Sequence, residues 1–201
     1  MVKALFFDVG NVLLTNGWDR AGRMKACEQF QLDGAEVDER HRMTFDTYEE
    51  GKLSLDEYLA RTVFYKPRDF TPADFKQFML EQSKPFPEML ELLRRLRQTY
   101  GLRVTVVSNE GRELTLHRVQ TFRLGELVDT FVSSCFVGMR KPDPGIWKLA
   151  LDISQVAPEE VIYVDDRSLF IEVAGGLGIR GVHHTGYEST RARLAELGLG
   201  V

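Results

Sequence analysis

Three short, nearly continuous runs of apolar residues constrain the fold of this chain more than any other feature. They span residues 2–7, 104–107 and 161–164. A run of this kind is typical of a strand buried on both faces, as in a parallel sheet covered by helices. Residues 130–133 and 181–184 show weaker strand patterns. We therefore expect these five segments to form the strands of one sheet.

Helical patterns alternate with these strand candidates. Residues 87–100 repeat apolar positions at the spacing of one helix face, and Gly101 is suited to end that helix. Residues 144–151 and 168–177 also favour helices. Strands that alternate with helices of this length predict an α/β fold with a doubly wound, mainly parallel sheet.

One long segment after the first strand interrupts this alternation, because it contains helix starts but no convincing strand. Ser54 and Glu57 have the spacing of a capping box, in which each side chain bonds the other residue's backbone amide. Thr71 followed by Pro72 is a favourable helix start. The predicted domains are an α/β core of residues 1–16 and 87–201 and an inserted all-helical domain of residues 17–86.

Composition excludes several functional classes. The 201 residues include 26 Lys and Arg against 30 Asp and Glu, for a net charge of −4. Nucleic acids and anionic membranes attract a concentrated positive field, so neither is an expected partner. No apolar run approaches the roughly 20 residues that span a bilayer, and the first run is too short for a signal peptide. We therefore expect a cytoplasmic protein.

Polar residues that can carry chemistry follow the three main strands, with one lysine in a proline-rich loop. They are Asp8, Ser108, Asn109, Asp165, Asp166 and Lys141. Ligands of open parallel sheets bind at the carboxyl ends of the strands, where these residues lie. Carboxylates alone would repel an anionic substrate, whereas a hard cation such as Mg²⁺ couples carboxylates to phosphate oxygens. The set therefore indicates a Mg²⁺-assisted site for a phosphoryl group.

Most of these residues also have an ordinary structural interpretation when taken alone. Asp8 could cap a turn or a helix, and Lys141 could be a surface lysine beside a turn. Ser108 and Asn109 both favour turns. The pair Asp165–Asp166 is different, because adjacent carboxylates at the end of a buried strand repel unless a cation is near.

Four motifs in sequence order resemble those of the haloacid dehalogenase (HAD) superfamily. They are Asp-Val-Gly-Asn-Val at residues 8–12, Ser108–Asn109, Lys141–Pro142 and Asp165–Asp166. The resemblance covers the whole chain, since the insertion after the first strand resembles the helical cap of that superfamily. The opening motif, the run at residues 138–142 and the aspartate pair are most similar to the α-glucose-1-phosphate phosphatase and epoxide-hydrolase-amino-domain branch.

This resemblance implies a role for each matching residue. Asp8 would be the nucleophile that becomes an aspartyl phosphate. Ser108 and the backbone at Asn109 would bind the phosphoryl oxygens, while Lys141 would pair with both nucleophile and phosphate. The implied Mg²⁺ ligands are Asp8, the carbonyl oxygen of Gly10, Asp166, and Asp165 either directly or through water.

Two positions depart from the usual family pattern. Gly10 stands where many members carry a second aspartate that acts as general acid and base, although relatives in the branch just named also carry glycine. Leu169 and Phe170 follow the aspartate pair where acidic or amide residues are common, and neither can ligate a metal. Outer-shell support for the metal must then come from elsewhere.

The sequence thus predicts a Mg²⁺-dependent phosphatase for a small phosphorylated metabolite, with a sugar phosphate favoured and a monomer or weak dimer expected. Two alternatives stay open. A 2-haloacid dehalogenase would use the same aspartate on carbon but needs no metal, which the aspartate pair argues against. A non-catalytic phosphate-binding protein of the same fold would explain the glycine at position 10.

Overall fold

The computed structural model describes residues 1–201 and contains one five-stranded sheet. Its strands are β1 (Ala4–Phe7), β2 (Arg103–Ser108), β3 (Thr130–Ser133), β4 (Val161–Asp165) and β5 (Arg180–His183). The strand order is β3-β2-β1-β4-β5, and every neighbouring pair is parallel. The predicted α/β fold with a parallel, doubly wound sheet is confirmed.

The central strand β1 is fully buried on both faces, as its apolar run predicts. Leu5 and Phe7 point into a core layer that they share with helix residues such as Leu93. Ala4 and Phe6 point into the opposite layer, which includes Trp147. Successive side chains of a strand face opposite sides, so helices must cover both faces of this sheet.

Five helices follow β1 before the chain returns to the sheet. They are α1 (Arg20–Gln29), α2 (Gly34–Arg42), α3 (Phe45–Glu49), α4 (Leu55–Thr62) and α5 (Pro72–Glu81). The capping box of Ser54 and Glu57 begins α4, and Thr71 caps α5 with Pro72 in its first turn. These helices enclose an apolar cluster of their own that includes Tyr58 and Phe75. That this segment acts as a separate cap stays a prediction.

The remaining helices flank the sheet. They are α6 (Pro87–Tyr100), α7 (Arg112–Thr121), α8 (Ser134–Val137), α9 (Gly145–Ser154), α10 (Ser168–Gly175) and α11 (Tyr187–Glu196). Gly101 ends α6 with a φ of 64°, the left-handed geometry that glycine adopts without strain. No helix combines the length and apolar character needed to cross a membrane.

The two chain segments that connect the sheet with helices α1–α5 run side by side. The backbone amide of Thr15 donates to the carbonyl of Lys84 at 2.8 Å. Arg118 of α7, only 1% exposed, donates to the Thr15 carbonyl and to the Ser83 hydroxyl. The same guanidinium forms an ion pair with buried Glu110 in the loop after β2. Helices α1–α5 are therefore anchored to the loop that follows Ser108–Asn109.

Candidate active site

The predicted site residues meet at the carboxyl edge of the sheet because their strands are neighbours. Phe7 of β1 pairs with Val106 of β2 and with Val164 of β4, so Asp8, Ser108 and Asp165 leave the sheet side by side. Asp8, Gly10, Ser108, Asn109, Lys141 and Asp166 line one cavity of about 380 Å³. The strand order thus brings together motifs that lie far apart in the sequence.

Lys141 lies at the centre of a buried charge network. Its Nζ is 2.6 Å from Asp165 Oδ2 and 3.1 Å from Asp8 Oδ1, and the residue is 1% exposed. The Tyr163 hydroxyl accepts a hydrogen bond from the same ammonium at 3.1 Å, and the Phe170 ring centroid lies 5.0 Å away. Burial lowers the pKa of Lys141, but the two carboxylates outweigh burial and raise it above its ordinary value. The lysine therefore stays charged.

Asp165 acts chiefly as the partner of this lysine. Its Oδ2 accepts hydrogen bonds from Lys141 and from the Tyr163 hydroxyl, and its Oδ1 accepts one from the Arg167 amide at 2.8 Å. The residue is completely buried. Both carboxylate oxygens of Asp165 therefore already accept hydrogen bonds within the protein.

The donor set fits a hard divalent cation. Asp8, Asp165 and Asp166 each place a carboxylate oxygen within 4.8 Å of the other two. Apart from its ion pair with Lys141, the buried Oδ1 of Asp8 has no hydrogen-bond partner. Burial raises the pKa of Asp8 to about 7, with Lys141 opposing this rise and Asp165 adding to it. A cation would satisfy this oxygen and relieve the repulsion among the carboxylates.

Two residues that support this site were missed in the sequence. Asn11 donates to Asp166 Oδ2 at 3.0 Å from a backbone with a φ of 56°, a left-handed conformation that asparagine tolerates better than most residues. Tyr163 shares a strand face with Asp165, two positions away. Strand alternation could have indicated Tyr163. A turn-forming asparagine near the nucleophile was the signal for Asn11.

The side chain of Asn109 contacts the loop of Lys141. Its Nδ2 donates to the Lys141 carbonyl at 2.8 Å, and its Oδ1 accepts from the Lys141 amide at 2.7 Å. Both amide atoms are thus engaged within the protein, which leaves only the backbone at this position for substrate. Ser108 is buried and lines the cavity directly.

Gly10 lies against Asn16 in the cavity wall. A Cβ at position 10 would be 2.5 Å from Asn16 Oδ1, too close for the present side-chain position. The φ of Gly10 is not among the positive values of the chain, so backbone conformation does not require glycine there. A larger residue at position 10 is therefore limited by the Asn16 side chain and not by the backbone conformation of the turn.

Helices α1–α3 and the segment before α1 form the wall of the cavity that faces the sheet. Trp18, Arg23, His41 and Tyr48 contribute side chains to it. Arg140, next to Lys141, pairs with Glu49 of α3 at 2.6 Å and also with Asp46. The helical insertion is therefore joined to the lysine loop by ion pairs across the cavity.

Comparisons with known proteins agree with this architecture. D-ribitol-5-phosphate phosphatase of Bacteroides thetaiotaomicron is 28% identical over 188 residues, covering 89% of each chain. Flavin mononucleotide hydrolase 1 of Arabidopsis thaliana is 25% identical over 171 residues, covering 81% of this chain. A HAD family enzyme of Bacteroides thetaiotaomicron, solved with magnesium and inorganic phosphate, has a TM-score of 0.76. At 22% identity, over 90% of this chain and 93% of that one, this last likeness shows the fold alone.

Several curated relatives are longer than the region they share with this chain. The chain spans only 9%, 65% and 35% of the length of three of them. A family model for haloacid dehalogenase-like hydrolases matches residues 2–169, which include all four motifs. The chain belongs to the family of haloacid dehalogenase-like hydrolases.

Proposed function

We propose that this hydrolase is a Mg²⁺-dependent phosphatase for a small phosphorylated metabolite. The observation that carries the proposal is the cluster of three carboxylates, Asp8, Asp165 and Asp166, of which Asp8 and Asp165 also pair with the buried ammonium of Lys141. Its charges suit a phosphoryl group held between a lysine and a hard cation. Relatives named as a ribitol-phosphate phosphatase and a flavin mononucleotide hydrolase support the same class.

In this proposal Asp8 attacks phosphorus and forms an aspartyl phosphate as the ester P–O bond breaks, and the leaving oxygen departs as an alcohol with a proton taken from water. Water then hydrolyses the aspartyl phosphate and releases inorganic phosphate. Lys141 and Ser108 bind the phosphoryl oxygens, and Asn109 holds the Lys141 loop in position. Asp165 and Tyr163 keep the ammonium of Lys141 in place.

Mg²⁺ would be held by Asp8, Asp166 and the carbonyl oxygen of Gly10, with Asp165 linked through water. When bound, it supplies positive charge to the phosphoryl oxygens as negative charge develops on them. Asn11 fixes the orientation of Asp166 through its 3.0 Å hydrogen bond. Residues 17–86, which contain helices α1–α5, would act as a cap and exclude water from the closed site.

Metal removal is the test that separates this proposal from a haloacid dehalogenase. Phosphate release from p-nitrophenyl phosphate is expected to stop in excess EDTA and to return when Mg²⁺ is added beyond the chelator, because the three carboxylates require a cation. Release of chloride from 2-chloropropionate is measured in parallel and is expected to be absent. Chloride release that persists in EDTA, without phosphate release, would favour the dehalogenase.

The leaving group of the substrate should control the rate. General acid catalysis contributes about 10²–10⁴-fold, and Gly10 provides no acid. The rate lost without a general acid is smaller when the leaving oxygen is less basic, because such an oxygen needs less protonation. Sugar 1-phosphates and aryl phosphates are therefore expected to turn over faster than glycerol 3-phosphate. Comparing kcat across esters of graded leaving-group pKa tests this, and a flat dependence with phosphoryl transfer rate-limiting would show that another group donates the proton.

A substitution at Gly10 provides the matched control for this dependence. Gly10→Asp restores an acid, but its Cβ needs the space that Asn16 Oδ1 holds. The double variant Gly10→Asp with Asn16→Ala removes this conflict and is compared with Asn16→Ala alone. It should accelerate alkyl phosphates selectively, provided that thermal melting shows both proteins folded.

A further inference from the structure

Two buried polar atoms in the wall formed by helices α1–α3 lack any hydrogen-bond partner. They are the hydroxyl oxygen of Tyr48, a residue 4% exposed, and Nε of Arg23, a residue 7% exposed. Both residues line the cavity that contains Asp8. Burying an unpaired polar group is unfavourable, so such atoms in a native protein call for an explanation.

The ring of Tyr48 lies directly against the loop after β2. A Cβ at Gly111 would lie 2.0 Å from a ring carbon of Tyr48 and 2.3 Å from its hydroxyl oxygen, so only glycine fits there. Gly111, Ser108 and Tyr48 all line the same cavity. Stacking on Tyr58, with centroids 4.7 Å apart, holds the ring in this position.

The hydroxyl of Tyr48 is a permanent hydrogen-bond donor. Burial, together with the nearby carboxylates of Glu113 and Glu110, holds the pKa of Tyr48 well above its ordinary value. It therefore keeps its proton at any physiological pH. The neighbouring Tyr58 hydroxyl differs, because it is engaged with Trp18 Nε1 at 3.0 Å and with His41 Nδ1 at 2.8 Å.

Arg23 is held rigidly with one donor left over. Its terminal nitrogens donate to Asp38 Oδ1 at 2.8 Å and to the Trp18 carbonyl at 3.3 Å. The guanidinium is planar, so these two bonds also fix the direction of the Nε–H. Asp38 already balances the charge of Arg23, and the free Nε–H remains a charge-assisted donor.

We propose that the Tyr48 hydroxyl and Arg23 Nε form a subsite that binds an acceptor oxygen of the leaving group. The substrate class is then an organic phosphate with a hydroxyl or carboxylate beyond its ester oxygen. This inference rests on the proposed phosphatase function. A pocket built to hydrogen-bond an oxygen discriminates strongly against an analogue that lacks it, since its buried donors are then left unpaired.

The test compares three-carbon phosphates that differ in their oxygens. These are propyl phosphate, glycerol 3-phosphate and 3-phosphoglycerate, each measured with the wild type and Tyr48→Phe. The variant should lower kcat/KM three- to tenfold for one or both oxygen-bearing esters, through KM, and leave propyl phosphate within twofold. Whichever ester responds identifies hydroxyl or carboxylate as the group bound.

Stability and a remote tyrosine provide controls. Because the Tyr48 hydroxyl has no partner in the free protein, Tyr48→Phe should not lower the melting temperature. Tyr187→Phe removes a hydroxyl outside the cavity and should change none of the three esters. Arg23→Lys, which can keep a charge near Asp38 but loses the planar fork, should reproduce the selective loss if it folds.

Equal losses on all three esters, or none, would overturn the subsite. If the wild type released phosphate from no ester, including p-nitrophenyl phosphate, the proposed function would fail separately. The subsite is then judged by calorimetric titration of glycerol 3-phosphate and propyl phosphate into proteins with and without Tyr48→Phe. A selective loss of glycerol 3-phosphate affinity supports it, and unchanged relative affinities overturn it.

Discussion

Replacing Asp8 with asparagine is expected to reduce phosphate release by at least about 10⁴-fold, the scale of losing a catalytic nucleophile. An amide of nearly equal size preserves packing but cannot attack phosphorus effectively, and it is a weaker Mg²⁺ ligand. Initial rates with p-nitrophenyl phosphate in saturating Mg²⁺ measure the effect. Asp152→Asn, which changes an exposed aspartate of α9 far from the cavity, provides the matched control.

The stability of Asp8→Asn gives a second readout with a definite sign. Burial raises the pKa of Asp8 from 3.8 to about 7. The folded wild type therefore binds a proton at Asp8 more tightly than the unfolded chain, and the resulting contribution to the free energy of unfolding is lost as pH rises from about 3.8 through about 7. Asparagine has no such titration. Without Mg²⁺, the variant should therefore melt at the same or a higher temperature than the wild type at pH 8. Near-wild-type phosphate release from a folded Asp8→Asn would refute the assignment of the nucleophile.

Alanine substitutions of the two adjacent aspartates, Asp165 and Asp166, are expected to have different effects, one on stability and the other on Mg²⁺ binding. Asp166→Ala should weaken Mg²⁺ binding at least about tenfold, because even groups that only support a metal ligand contribute this much to affinity. The loss of stability should be small, because the Asp166 side chain is partly exposed. Asp165→Ala removes the 2.6 Å partner of fully buried Lys141. Removing one partner of a buried ion pair costs about 3–5 kcal/mol, so this variant should melt at a clearly lower temperature.

Isothermal titration with Mg²⁺ and thermal unfolding of both variants measure the two effects. Asp165→Asn is a useful companion, since it keeps the shape of the side chain while removing its charge. If Asp165→Ala left stability intact and weakened Mg²⁺ binding as much as Asp166→Ala, then Asp165 would be a direct metal ligand. Negligible effects of both variants on Mg²⁺ affinity would argue against the metal site.

Local patterns were sufficient to predict the five strands and several helices, although helices α7, α8 and α11 were not predicted. The strand at Thr130–Ser133 and the helix at Pro87–Tyr100 have the predicted bounds, while β1 begins at Ala4 instead of Val2. Capping residues and apolar periodicity are properties of a few consecutive residues, so they can be read without knowledge of the rest of the chain. The strand order cannot be read this way, because it depends on which segments pack together.

The sequence by itself determined which chemical groups are available at the sheet edge, because parallel strands all deliver their following residues to the same side. Only the tertiary structure decided which of those groups bind other protein groups and which remain available to a ligand. Asp165 serves Lys141, and Asn109 holds the lysine loop. Tyr48 and Arg23 each have a buried, unpaired donor atom, and both residues line the same cavity. Each of these roles depends on distances between residues remote in sequence, which packing sets and no local pattern records.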